Sequence, residues 1–530
     1  MAKIKPKVSG AESQLYSQEV DKLLVLCEEV MRATPEGAHR FIEPAPGVLS
    51  RAKSRQHNII FGRRGSGKSS LLRKVAADLT VDRRPIAFVD METFKGHSYP
   101  DVLISVLIKS LQEFKKWIDG AAITPATKTT FWNKLFGTKP QRPPFNKAKT
   151  LELSKKLGGL INDLETQLRL PESAAVQVKR NSANEDAFEL EAAAEVGVAA
   201  NSIKTRAKAS GKLNGSSEEQ LTYVSHKIEY LHQHILSFQN FFEELSALSD
   251  GPSFLILDDL YHIRKSDQPK VVDYFHRIAK GSRMWLKVGT IKHRSQWYQH
   301  SDPPIGMKLG DDAKEINLDI SLEKFETLRE FLRKILNNLL AEAPPLTMID
   351  LMNRTAIDRL IVASGGVTRD FIGIFSGAIS QAKNRPAGDS RGPKIGAEDV
   401  NRASGEYDPL KREEFKLDTD SDREVLEKAF QNLVIFCTEQ SKCNIFLVNQ
   451  RLKGPVRDSV DQLIDLRLIH PVKSRVTLKA GAKGELFEAY MLDLSQYTAA
   501  RKVQNFQMLD LSAKETDESL RRGALIYSGI

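Results

Sequence analysis

The segment Gly62-Arg63-Arg64-Gly65-Ser66-Gly67-Lys68-Ser69 constrains this chain more than any other stretch. It fits the pattern GxxxxGK[ST], and the spacing has a mechanical cause. Glycines let successive backbone N–H groups turn inward around a phosphate, where side chains would clash. A helix starting just after the loop adds the positive end of its dipole. The flanks agree, because His57–Phe61 reads as a short strand and Ser69–Leu79 as a helix. A strand entering such a turn and a helix leaving it call for an α/β fold. On this reading Gly62, Gly65, Ser66, Gly67, Lys68, Ser69 and Ser70 bind the phosphates of ATP. Lys68 reaches the β- and γ-phosphates, and Ser69 offers its hydroxyl to Mg²⁺.

A second motif supplies the carboxylates. Phe254-Leu255-Ile256-Leu257-Asp258-Asp259 is an apolar strand ending in two acids, as expected of a buried strand that carries a metal-side carboxylate to the phosphates. Asp258 is the expected Mg²⁺ partner. Asp259 stands where a water-orienting carboxylate is needed; an aspartate there is one methylene shorter than a glutamate, so slow hydrolysis is expected. Ile86–Asp90 follows the phosphate loop too closely to be this strand and reads as the second strand, with Asp90 near the site. The next strand ends in Lys287-Val288-Gly289-Thr290, where Thr290 is either a γ-phosphate sensor or a strand cap. Ser364-Gly365-Gly366-Val367-Thr368-Arg369-Asp370 breaks two helical segments, and Arg369 is either a phosphate contact or a surface arginine.

Along the chain, residues 1–44 read as a tail and a helix, with a stripe through Val20, Leu23, Leu24, Leu26, Cys27 and Val30. The α/β core is expected over 45–320, as strands alternating with helices imply a parallel sheet. Its later strands are expected at Trp285–Val288 and Ile316–Ile320. A helical and mixed insertion is expected at about 121–221. There, Thr129–Asn146 mixes aromatics, prolines and basic residues, Leu151–Leu170 is helical, and Phe188–Val198 alternates partially. The helix Thr222–Leu248 follows. Residues 321–407 read as a helical lid. Over 408–500 the order is helix (Asp422–Gln440), strand (Asn444–Val448), helix (Val456–Leu466), then short strands at Leu468–Val472, Arg475–Leu478 and Phe487–Leu492. That is the order of a winged helix, and 501–530 is a C-terminal tail.

Composition sets the partner class. The 530 residues are 41% hydrophobic, the proportion of a folded protein, and carry a net charge of +10. That excess favours an acidic partner, nucleic acid first, unless the chain is simply basic. Basic groups gather at Arg51, Lys53 and Arg55 and again over Lys128–Lys156, including Lys134, Lys139, Arg142, Lys147 and Lys149. Cys27, Cys437 and Cys443 form no CxxC pair and fit a reducing compartment. Met1–Lys7 is basic but lacks a signal-peptide core, and no run approaches the ~18 apolar residues of a membrane span. A cytoplasmic protein without a membrane partner is expected.

Taken together, these residues resemble those of the P-loop AAA+ ATPases, and more narrowly the branch of origin-recognition initiator ATPases. The resemblance rests on Gly62–Ser69 (Walker A), Asp258-Asp259-Leu260 (Walker B), the polar Thr290, the Gly365-Gly366-Val367-Thr368-Arg369 turn and Lys394–Val400. It covers about Ala45–Ile118 and Pro252–Leu492. The chain also looks like uncharacterised bacterial ATP-binding proteins with an Asp-Asp-Leu-Tyr-His-Ile-Arg segment, here Asp258–Arg264. The resemblance implies a nucleotide between sheet and lid, with Thr290 as sensor 1 and Arg369 as sensor 2. It also implies a homo-oligomer that lends an arginine finger, for which Arg277 and Arg294 are the candidates. The aspartate at 259 and the large insertion depart from the family pattern.

Two outputs follow. The first is a nucleotide-dependent switch acting on double-stranded DNA. The second is a signalling or assembly ATPase of bacterial anti-phage defence that controls a partner effector protein. Val456–Leu466 is weakly suited to base recognition, because Arg457 is offset by Asp458, Asp461 and Asp465. A small-molecule kinase has no use for the lid and the winged helix.

Overall fold

Strand β1 (His57–Phe61) is buried along its whole length, as a central strand covered on both faces must be. The computed structural model describes residues 14–123, 145–170, 215–386, 389, 391–418, 423–478, 484–498, 501, 503–509 and 516–529. Four further strands complete a parallel sheet: β2 (Ile86–Asp90), β3 (Ser253–Asp258), β4 (Met284–Thr290) and β7 (Ala313–Asn317), in the order β2-β3-β4-β1-β7. Strands β5 (Tyr298–Gln299) and β6 (Ile305–Gly306) form a small antiparallel pair apart from it. The architecture is α/β and compatible with a P-loop NTPase.

Alternation along β3 shows how the layers form. Leu255 and Leu257 face a core with Phe114, Leu157, Phe238 and Phe275, from the helices Asp101–Ile123, Lys147–Arg169, Gly215–Ser249 and Gln268–Lys280. Phe254 and Ile256 face the opposite way, against Leu71, Leu72 and Val75 of the helix Lys68–Val81. The first and third of these cores' long helices flank the expected insertion, and both pack on the sheet.

A second body of structure follows. Helices Phe325–Ala341, Arg354–Ser364, Thr368–Lys383 and Ala397–Asp418 precede an antiparallel sheet of β8 (Ile445–Asn449), β9 (Ile469–Val476) and β10 (Phe487–Leu492), in the order β8-β10-β9. One apolar core joins them, and the helix Gln18–Glu29 enters it through Val20, Leu23 and Cys27. The helix Ala397–Asp418 runs straight through the boundary expected between 407 and 408. Past residue 500, the backbone N–H of Tyr527 donates to the Leu447 carbonyl at 2.8 Å, covering the edge of β8.

Some expectations are corrected. The strand expected at Ile316–Ile320 lies at Ala313–Asn317, an edge strand buried only at Ala313 and Ile316. The separate strands expected at Leu468–Val472 and Arg475–Leu478 are one strand, β9, and an irregular register against β10 accounts for the apparent break. Most of Thr129–Asn146 and all of Phe188–Val198 and Met1–Lys7 lie outside the described residues, as do Lys134, Lys139 and Arg142. No described helix is long and apolar enough to cross a membrane.

Candidate active site

Strands β1 to β4 end at one edge of the sheet, where open parallel sheets bind their ligands. The turn after β1 is built around small residues. A Cβ on Gly62 would lie 2.2 Å from Ser66 Oγ, and Gly67 takes φ +95° at the start of the helix Lys68–Val81. Lys68 is 5% exposed, and its Nζ donates to the carbonyls of Gly62 at 2.9 Å and Arg63 at 3.2 Å. The ammonium thus spans the loop from inside, with a third N–H left for a ligand. Ser66 Oγ is buried and finds no hydrogen-bond partner in the protein. Burying a hydroxyl unpaired costs about 1–3 kcal/mol, a cost that an acceptor oxygen in the loop removes. Ser70 borders the adjoining cavity.

Beneath the loop lies Asp258, at the end of β3 and 4% exposed. The Asp259 backbone N–H donates to Oδ1 of the Asp258 carboxylate at 3.0 Å, and the Ser69 hydroxyl is near enough to favour the charged form. Burial, then the negative charge of Asp259, pushes the Asp258 carboxyl up to about 7; the Ser69 hydroxyl and the Lys68 charge oppose this, and Asp90 adds to it. A hydroxyl and a carboxylate side by side at a phosphate loop fit Mg²⁺, which takes one or two protein groups and fills its shell with phosphate and water oxygens. Among the described residues, no group of three or more His, Cys, Asp or Glu could hold a metal by itself.

Gly289 makes room for this arrangement. A Cβ there would lie 2.7 Å from Asp258 Oδ1 and 2.8 Å from Leu72 Cδ1. Sequence reasoning passed over it, although its place just before Thr290 was a signal. Asp259 leaves the strand in the left-handed region, at φ +55°, and opens the turn Leu260–His262. Asp90 stands opposite Asp258 in the sheet and accepts from the Glu92 N–H at 3.0 Å.

Thr290 is fully buried and paired in register with Phe61; its hydroxyl hydrogen-bonds that of Ser295. Arg369 comes against the loop by its backbone, donating its N–H to the Gly65 carbonyl at 3.1 Å. Of the finger candidates, Arg277 is exposed on its helix, and Arg294 stands 5.8 Å from the Tyr261 ring centre. In the basic group before β1, Arg51 binds the Glu315 carbonyl at 2.6 Å and Lys53 pairs with Asp78 at 3.0 Å.

A cavity of about 250 Å³ opens beside Ser66, Gly67 and Ser70. Its walls are the segment Ala38–Ile42, the helix Phe325–Ala341 through Phe331 and Ile335, and Ile372. Arg40 braces it with a two-pronged contact to Glu342, 2.8 Å on each side. Residues read from sequence as tail therefore wall the space next to the phosphate loop.

The helix Pro455–Asp465 packs inward. Its Asp465 accepts from the His293 backbone N–H at 3.2 Å, just beyond β4, and Arg457 pairs with Asp461 and Glu488. Only Pro455 and Asp458 of this helix are exposed. Beside β9, Gln450 Nε2 donates to the Ser474 carbonyl at 2.7 Å, which brings the turn carrying Arg451 and Lys453 close to Arg475, all three exposed.

No protein-family profile matches the chain, and no curated protein matches it in sequence. Among solved structures, the Orc1 protein of Aeropyrum pernix, in complex with DNA, aligns over 96% of this chain and 98% of that one. The identity is 13% and the TM-score 0.31, a likeness too slight to add to the geometry above.

Proposed function

We propose that this chain is an AAA+-type ATPase that binds ATP with Mg²⁺, hydrolyses it slowly and acts as a nucleotide-dependent switch on double-stranded DNA. The observation that carries the reading is a glycine turn that holds Lys68 on two of its own carbonyls and an unpartnered Ser66 hydroxyl, with the buried Asp258 carboxylate at the end of β3 close by. Phosphoryl transfer needs positioning and charge neutralisation more than covalent help. In this reading Lys68 neutralises phosphate, Ser69 and Asp258 hold the cation, and Asp259 orients water. Thr290 and Arg369 report the γ-phosphate, and the cavity walled by Ala38–Ile42 takes the base. The helices over 321–407 serve as the lid and the unit over 408–500 as a winged helix. Arg277 or Arg294 is offered to a neighbouring copy.

The test is steady-state hydrolysis with direct binding. Asp259→Asn retains ATP binding and loses turnover, whereas Asp258→Asn loses the Mg²⁺ dependence of binding. Parental turnover by Asp259→Asn removes it as the water-orienting group.

DNA is contacted through its phosphates in this reading, since the helix Pro455–Asp465 packs inward, with Asp465 on the His293 N–H and Arg457 held by Asp461 and Glu488. Arg451, Lys453 and Arg475, together with Lys147 and Lys149 on the helix Lys147–Arg169, supply the charge. Log affinity for random duplex then falls linearly with log salt, with a slope of about −0.9 per phosphate contact. The covered helix also favours a second reading, in which the output is a partner effector protein in anti-phage defence. Absence of duplex binding at low salt selects that reading.

A further inference from the structure

We propose that Arg63 and His470 are positioning residues for the nucleotide site, through which the C-terminal sheet sets the geometry of the phosphate loop. The inference rests on the nucleotide reading above and extends it to residues far along the chain.

Arg63 is the second residue of the loop, yet its side chain is 2% exposed and turns toward other elements. Its NH2 group donates to the Gly365 carbonyl at 2.9 Å, and its Nε lies 3.4 Å from the Asp319 carboxylate. The Arg63 backbone N–H donates to that same carboxylate at 3.0 Å. Its NH1 group lies 3.4 Å from His470 Nδ1, on β9. A guanidinium can only donate, so Nδ1 is the acceptor and the imidazole is neutral with its proton on Nε2. That Nε2 donates to Asp493 at 2.9 Å.

From Asp493 the chain of contacts returns. Lys411 donates to Asp493 at 2.7 Å and lies 3.3 Å from Asp370, which also pairs with Arg467. Asp370 follows Arg369, whose backbone N–H reaches Gly65 in the loop. The contacts close a ring: loop, C-terminal sheet, the helix Thr368–Lys383, loop. Gly365 permits the closure, for a Cβ there would lie 1.9 Å from His470 Nδ1.

Buried ionic groups are poor glue compared with apolar side chains of the same size, and in this ring Asp370 Oδ2 has the Lys411 charge 3.3 Å away but no hydrogen bond. A ring of this kind gives little stability that leucines would not, but it gives position. Both points at which it meets the ATPase core lie within the phosphate loop, at residues 63 and 65. Coupling of this sort is reciprocal: if the docked sheet favours ATP, ATP favours the docked sheet.

A double-mutant cycle tests this, with MgATP affinity read by calorimetry on Arg63→Gln, His470→Gln and the double variant. Each single change is expected to weaken ATP about tenfold, and the double variant no more than the weaker single, since the two act through one contact. Additive losses, or singles that bind as the parent does, overturn the inference. Hydrogen exchange on the parent chain covers the case in which a variant fails to fold. Slower exchange of Ile469–Val476 with MgATP than without supports the ring, and unchanged exchange overturns it. A parent chain that binds no ATP removes the nucleotide reading itself, an outcome separate from an additive cycle in a chain that binds.

Discussion

Arg369 donates its backbone N–H to the carbonyl of Gly65 across 3.1 Å, so the helix Thr368–Lys383 begins against the phosphate loop. A Cβ on Gly65 would lie 2.7 Å from the Arg369 Cβ, and the loop residue takes φ +79°, which only glycine adopts without strain. A contact this close ties the helix to the state of the loop. Arg369→Ala leaves that backbone contact in place and removes the guanidinium. It is expected to weaken ATP binding by about 1–3 kcal/mol, as for a charge-assisted contact. Protection from protease by ATP is expected to vanish in the variant; protection equal to the parent's would place the guanidinium in solvent.

Gly289 carries a second prediction. Its missing side chain is the space occupied by Asp258 Oδ1 and Leu72 Cδ1. Gly289→Ala is therefore expected to displace the carboxylate as well as crowd the core, at a cost of about 1–3 kcal/mol in stability. Mg²⁺-dependent turnover should fall further than stability alone explains. Thermal melting beside an ATPase assay separates the two, and a variant with parental turnover would show that Asp258 need not sit where it does.

The docked helix Pro455–Asp465 gives a pH dependence. Asp465 is 6% exposed, and burial, then the negative charge of Asp319, pushes its carboxyl up to about 7. The His293 N–H, Arg294 and Arg63 pull the other way. An acid whose folded value exceeds its unfolded one binds more protons when folded, so stability falls as pH rises between about 4 and 7. Asp465→Asn keeps an acceptor for the His293 N–H and cannot ionise. The variant is expected to gain on the order of 1–3 kcal/mol over the parent at pH 8 and little at pH 4. Denaturant unfolding at both values measures it, and an equal difference at the two would rule out ionisation of Asp465 as the cause.

What could be read from the sequence was local. The phosphate loop declares itself because its glycines, lysine and serine are consecutive, and the chemistry needs them so. Asp258 declares itself because an apolar run must end where a buried strand emerges. Contacts between distant segments leave no such mark. Arg63 reads in the sequence only as one of the variable positions of the loop, because its partners Asp319, Gly365 and His470 lie 256, 302 and 407 residues further along the chain. Ala38–Ile42 reads as tail because nothing in it says that Phe331 and Ile335 stand opposite. The bulged strand β9 reads as two because an irregular pairing interrupts the alternation on which strand reading depends.

Nucleotide binding depends first on the loop Gly62–Ser69. Lys68 bridges the Gly62 and Arg63 carbonyls with two of its three N–H groups and sits where phosphate charge would gather. The direct measurement is calorimetric titration of MgATP into the parent chain and into Lys68→Ala. Saturable one-site binding by the parent, abolished in the variant while both melt cooperatively, is the predicted result. Equal affinity in the two chains, or no binding by the parent, would contradict it.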